Sequence, residues 1–87
     1  MRLKYEFEMV ELDDQIIAVP VGEHVKDFHG VVKLNETAAF IFRLLSTDTT
    51  EAAIVDALRN EYDAQDERLS TDVHKYVNDF QEKGLLA

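Results

Sequence analysis

Few side chains in this sequence could do chemistry, and their spacing limits what they can do. Three histidines, His24, His29 and His74, are the candidates for general acid–base work or for ligating a soft metal. His24 and His29 stand five apart with Asp27 between them. That spacing matches no recognised metal motif and reads instead as solvent-exposed loop histidines. His74 falls off the apolar stripe of its helix and reads as a surface residue. There is no cysteine, so disulfides, thiolate nucleophiles, iron–sulfur clusters and sulfur-ligated zinc are excluded. An oxygen nucleophile would have to be Ser46, Thr49, Thr50, Ser70 or Thr71. All of these lie in breaks or first helical turns, where hydroxyls serve as caps. Gly22, Gly30 and Gly84 are too scattered to cradle a phosphate. No catalytic residue, metal site or cofactor is expected.

Charge narrows the partners further. Lys and Arg number 9 against 18 Asp and Glu, a formal charge of −9 spread along the chain. Phosphate backbones are bound by clustered cations that release counterions, so nucleic acid is not an expected partner. With 87 residues, 46% of them hydrophobic, the chain can close one modest core, and a single domain over residues 1–87 is expected. The N-terminus has no signal-like apolar stretch, and no run approaches the roughly 18 apolar residues of a membrane span. The expectation is therefore a soluble cytoplasmic protein with no membrane partner.

The elements that position these residues follow from periodicity. Leu3, Tyr5, Phe7 and Met9 alternate with Lys4, Glu6 and Glu8, the pattern of a half-buried strand. Val10 and Leu12 fall on the opposite parity, which calls for either a bulge near Met9 or coverage of both faces. Asp13-Asp14 supplies a turn, and Gln15-Ile16-Ile17-Ala18-Val19 a second strand. Pro20 should end that strand or sit where its missing N–H is not needed. Gly30-Val31-Val32-Lys33-Leu34 reads as a third strand, followed by Asn35 as a helix N-cap. The period then becomes helical: Ala38, Ile41, Phe42 and Leu45 make one stripe, widened by Phe40 and Leu44. Asp48 with Glu51 suggests a capping pair for a second helix, whose face is Ile54, Val55, Leu58 and Tyr62. A third helix carries Leu69, Val73, Tyr76, Val77 and Phe80. Asp72 favours its N-terminal end and Lys83 its C-terminal end, and Gly84 stops it. Residues 63–67 read as a polar connection or as the start of this helix, and Leu85-Leu86 as an apolar clip on the core. The order is β-β-β-α-α-α, an α+β chain with a three-stranded antiparallel sheet followed by three helices.

Two surfaces of such a chain could bind something. The helix–turn–helix pattern admits a winged-helix regulator or assembly subunit that binds protein or DNA. However, helix three sets His74, Lys75 and Lys83 against Asp72, Asp79 and Glu82, which leaves no cationic stripe. The third strand, at the edge of a meander, leaves backbone donors and acceptors that another chain could complete, with Lys33 also guarding that edge against aggregation. The same edge could pair with its own copy, so a monomer or a weak homodimer is expected.

Leu34-Asn35-Glu36-Thr37-Ala38-Ala39-Phe40-Ile41 resembles the Leu-Asn-x-Thr-Ala-x-x-Ile signature that opens the first helix of PqqD-like proteins. The likeness continues through Thr50-Glu51, Ile54-Val55-Asp56-Ala57-Leu58 and Glu61-Tyr62-Asp63, and closes with Asp72-Val73, Tyr76-Val77, Phe80 and Gly84-Leu85-Leu86. It covers roughly residues 12 to 87. The resemblance implies a winged-helix-like, freestanding recognition domain that is not an enzyme. Such a domain binds the leader segment of a ribosomally made precursor peptide and presents it to a maturation enzyme, in the namesake pathway a radical S-adenosylmethionine protein. It also implies a leader-binding groove between the third strand and helix three, formed by Val31, Val32, Lys33, Leu34, Lys75, Tyr76, Asp79 and Phe80. Ser46-Thr47-Asp48-Thr49 replaces the glycine turn common after the family's first helix, and the N-terminal Trp of many namesake proteins is missing. The expectation therefore extends to the broad family and not to the quinone pathway.

Overall fold

The alternating N-terminal segment folds back on its successor through a two-residue turn. In a computed structural model that describes residues 1–22, 30–62 and 68–87, strand β1 (Glu6–Leu12) pairs antiparallel with β2 (Gln15–Val21). The register is unbroken from Glu6 opposite Val21 to Leu12 opposite Gln15. There is thus no bulge near Met9, and the end of the strand is not covered on both faces either: Met9 and Val10 are each half-buried, but Leu12, on the parity of Val10, is 56% exposed. Asp13 takes the turn with φ +56, a left-handed conformation that Asp tolerates better than most residues. The strand expected from Leu3 begins at Glu6, and Leu3 forms an isolated antiparallel bridge with Leu86.

Strand β3 (Val32–Leu34) lies on the other side of β2, with Leu34 opposite Ile16 and Val32 opposite Ala18, in the order β1-β2-β3. It is shorter than the sequence pattern suggested, because Val31 lies outside it and is 50% exposed. Pro20 does not end β2. The β2–β3 ladder stops at Ala18, so the missing proline N–H costs that ladder nothing.

Three helices follow: α1 (Glu36–Leu44), α2 (Glu51–Tyr62) and α3 (Arg68–Glu82). Asn35 caps α1, its Oδ1 accepting the Ala38 amide at 2.7 Å. The cap of α2 is Thr50, whose hydroxyl oxygen accepts the Ala53 amide at 3.1 Å, rather than the expected Asp48. Helix α3 is described from Arg68 onward, and the residues just before it lie outside the described ones. Its far end closes as the sequence indicates. Gly84 sits at φ +75, its amide donates to the Gln81 carbonyl, and the Leu85 amide donates to the Phe80 carbonyl, both at 3.0 Å. These two bonds satisfy carbonyls that a helix end would otherwise leave open, and they turn Leu85, fully buried, into the core.

That core joins Ala18, Val32 and Leu34 of the sheet to Ile41, Phe42, Leu45, Ile54, Leu58, Val73, Val77, Phe80 and Leu85. Phe42 stands edge-on to Phe7 at 5.0 Å and to Phe80 at 5.4 Å, so one aromatic row ties β1, α1 and α3 together. Asp48 has a different partner from the one its position suggested. The Met1 ammonium donates to Asp48 Oδ1 and to the Thr49 carbonyl, each at 2.7 Å. The hydrogen bond and positive charge of that ammonium hold the Asp48 carboxyl below its ordinary value of 3.8. The Leu3 amide donates to Leu45, the Lys4 amide to Leu85, and the Ala87 amide to Arg2, so the N-terminal segment laces the α1–α2 junction to the C-terminal tail.

Candidate functional site

The outer edge of β3 and the adjoining face of α3 form the candidate site. Val32 and Leu34 are 6% and 7% exposed and point into the core, which leaves Lys33 as the exposed side chain of the strand. A strand sends the backbone groups of successive residues to opposite sides. Among the described residues no strand pairs with the outer side of β3, so backbone N–H and C=O groups are available there. Recognition at such an edge rests on main-chain hydrogen bonds, and its selectivity has to come from neighbouring elements.

The neighbouring element is α3, and one hydrogen bond fixes it to the end of β3. Asn35 Nδ2 donates to the Tyr76 hydroxyl at 3.0 Å, while Asn35 Oδ1 is committed to the α1 cap. One amide thus caps a helix and anchors an aromatic ring beside the strand. Tyr76 is half-buried, and its ring lies 6.5 Å from that of Phe80 one turn on. Phe80 itself is 2% exposed, so it supports the ring of Tyr76 from within the core. Lys75 is exposed, and Asp79 is exposed but paired with Lys83 at 2.9 Å. The structure therefore brings Tyr76 to the end of β3 and sets Phe80 behind it. Val31 stands exposed just before the strand.

Sequence reasoning read Asn35 only as a cap; the amide's spare N–H was the signal that it needed a second partner. It also missed a cavity of about 470 Å³ between the three helices, which shares Tyr76 and Lys75 with the site and is otherwise lined by Thr37, Ile41, Tyr62 and Leu69 among others. Tyr62 is 43% exposed and meets Phe40 edge-on at 5.8 Å, so it forms a wall of this cavity rather than continuing the buried face of α2. On the outer face of α3, His74 Nδ1 lies 3.1 Å from a Glu51 carboxylate oxygen, a surface contact between α3 and α2. His24, Asp27, His29 and the connection 63–67 lie outside the described residues. Among the described residues no group of three or more His, Asp or Glu could hold a metal, and no helix is long and apolar enough to cross a membrane.

Residues 9–86 match the family described as Coenzyme PQQ synthesis protein D (PqqD). Two solved structures share the fold. TbiB1 in complex with the TbiA(beta) leader peptide is 20% identical with a TM-score of 0.73, over 99% of this chain and 94% of that one. Lasso peptide synthetase B1 complexed with the leader peptide is 23% identical with a TM-score of 0.69, over 97% of this chain and 93% of that one. Curated protein sequences give no significant match.

Proposed function

The chain belongs to the PqqD family, and from that membership we propose that it binds the leader segment of a ribosomally made precursor peptide and presents it to a maturation enzyme, without catalysing a step itself. The observation that carries this reading is the β3 edge, which no strand covers among the described residues and which lies beside the Asn35–Tyr76 pair on α3. A leader would add as a strand along Val31, Val32, Lys33 and Leu34, its backbone completing that edge. Its apolar side chains would rest against Tyr76, backed by Phe80, while Lys75 and Asp79 adjust register from the rim. Both structural neighbours are leader-peptide complexes, which supports the reading. The maturation enzyme is a radical S-adenosylmethionine protein in this proposal, by analogy with the family's namesake pathway.

Amide NMR during titration with a synthetic leader, taken from a candidate precursor sought beside the gene, tests the site. Shifts should concentrate at residues 31–34 and along α3. Shifts confined elsewhere would refute the groove, and no binding at about millimolar peptide, the weak end of useful affinity, would refute the function. Co-purification with a radical S-adenosylmethionine enzyme is expected where the gene neighbourhood encodes one, and failure to associate with it, or the absence of any such enzyme, would remove it as the partner.

A further inference from the structure

A second surface lies at the opposite edge of the sheet. The residues before β1, the start of β1, the end of β2 and the end of α1 enclose a cleft of about 830 Å³ with Leu3, Met9 and Phe42 among its apolar lining. Arg2, Lys4 and Arg43 border it against one carboxylate, Glu6, and Arg43 also lines the neighbouring groove that holds Glu11, Asp13 and Asp14. On a chain of formal charge −9 with only 9 Lys and Arg in all, this is a local reversal of sign. None of the three cations has an ion-pair partner among the described residues, and Lys4 Nζ rests 5.6 Å from the centroid of the Tyr5 ring.

The complementary shape is on the same molecule. The tip of the β1–β2 hairpin reads Glu11-Leu12-Asp13-Asp14, all exposed, and Leu12 at 56% is the most exposed large hydrophobic residue described. An apolar side chain flanked by three carboxylates fits an apolar cleft bordered by Arg2, Lys4 and the shared Arg43. Within one chain the tip shares Arg43 with the cleft but cannot enter its Lys4 end, because Glu6 and Leu12 are at opposite ends of β1, roughly 20 Å apart at about 3.4 Å per residue. We propose that the hairpin tip of one copy docks in the cation-bordered cleft of a second copy, giving a reversible head-to-tail association. The two halves of this contact are different patches, so it can propagate from copy to copy. It leaves the β3 edge uncovered and does not depend on leader binding.

Electrostatics gives the association a distinctive salt profile. Two copies repel as whole molecules, and that repulsion reaches far at about 0.01 M salt, where the screening length is roughly 30 Å. At about 0.1 M the length falls to roughly 10 Å, which removes most of the long-range repulsion while close opposite charges still attract; at about 1 M, roughly 3 Å, the attraction is screened too. Association should therefore peak at intermediate salt. Sedimentation equilibrium up to about 1 mM protein, the weak end of specific affinity, should show a mass rising with concentration above the 10.0 kDa monomer near 0.1 M salt and lower at either extreme. Lys4→Glu and Leu12→Ser, both at exposed positions, should each be monomeric with unchanged thermal midpoints. Mixed together they should form a species that stops at two chains, because one variant keeps only the tip and the other only the cleft. A monomer throughout, insensitivity to either variant, or a mixture that stays monomeric would overturn the proposal. Both variants should retain leader binding, so failure here and failure of the β3 groove are told apart.

Discussion

At the scale of single residues, the structure separates side chains that hold the fold from those left free to recognise a partner. Phe80 belongs to the first group, since it is 2% exposed and wedged against Phe42. Phe80→Ala should cost about 3 to 5 kcal/mol, a large share of a total stability of about 5 to 15 kcal/mol, and lower the thermal midpoint markedly by circular dichroism. An unchanged midpoint would show that α3 presents another face inward. Asp48 makes a different kind of contribution. Its folded carboxyl lies below 3.8 because the Met1 ammonium bonds and attracts it. A depressed folded value means that the contribution is complete above the unfolded value and is lost as pH falls through the folded one. The stability difference between the parent and Asp48→Asn should therefore be present at neutral pH and vanish in acid well below pH 3.8, as a pH series of urea unfolding curves can establish. A difference that persists in acid would mean that the asparagine acts through something other than this charge.

At the scale of elements, the joint between β3 and α3 is where the proposed leader groove lies. The Asn35 side chain serves the α1 cap and Tyr76 together, so removing it should cost more than a cap alone, about 1 kcal/mol. A double-mutant cycle of Asn35→Ala and Tyr76→Phe should give a coupling of about 0.5 to 1.5 kcal/mol, the worth of a typical hydrogen bond, and additive losses would show that the bond contributes nothing. The elements themselves were legible in the sequence. Alternation marked the hairpin, Asn35 marked the start of α1, and Gly84 marked the end of α3, because each depends on local backbone chemistry. The misses share a physical cause. Asp48 and Thr50 are both competent caps by residue type, and what separated them was an ammonium distant in sequence. Likewise β3 shortened to Val32–Leu34 because its length is set by where β2 can pair with it. The edge strand followed by helices was legible; the Asn35–Tyr76 bond and the cavity behind it depend on how distant residues pack, which periodicity does not encode.

At the scale of the whole molecule, charge and packing set the expected behaviour. A chain at −9 should bind a basic leader faster at low salt, with an association rate that falls as the screening length shrinks to roughly 10 Å at about 0.1 M. Stopped-flow rates across a salt series measure this, and a flat profile with a basic leader would contradict long-range steering. The core draws on every helix and on the sheet, so the thermal midpoint should be unmoved by a strong chelator. A large drop would reveal a metal that the described residues do not account for. The lacing of the N-terminal segment between the α1–α2 junction and the C-terminal tail bears on the order of folding. Met1 meets Asp48 across a separation of 47 residues, and Leu3 meets Leu86 across nearly the whole chain. Contacts so far apart pay a large loop-closure entropy before they return anything, whereas the β1–β2 hairpin closes over two residues. The lacing should thus form after the rate-limiting step, and Leu3→Ala should speed unfolding while leaving the refolding rate nearly unchanged, visible as a shift of one chevron limb only. In that case the segment before β1 and the residues after α3 act as a kinetic fastener: they add little to how fast the protein folds and much to how long a folded copy lasts.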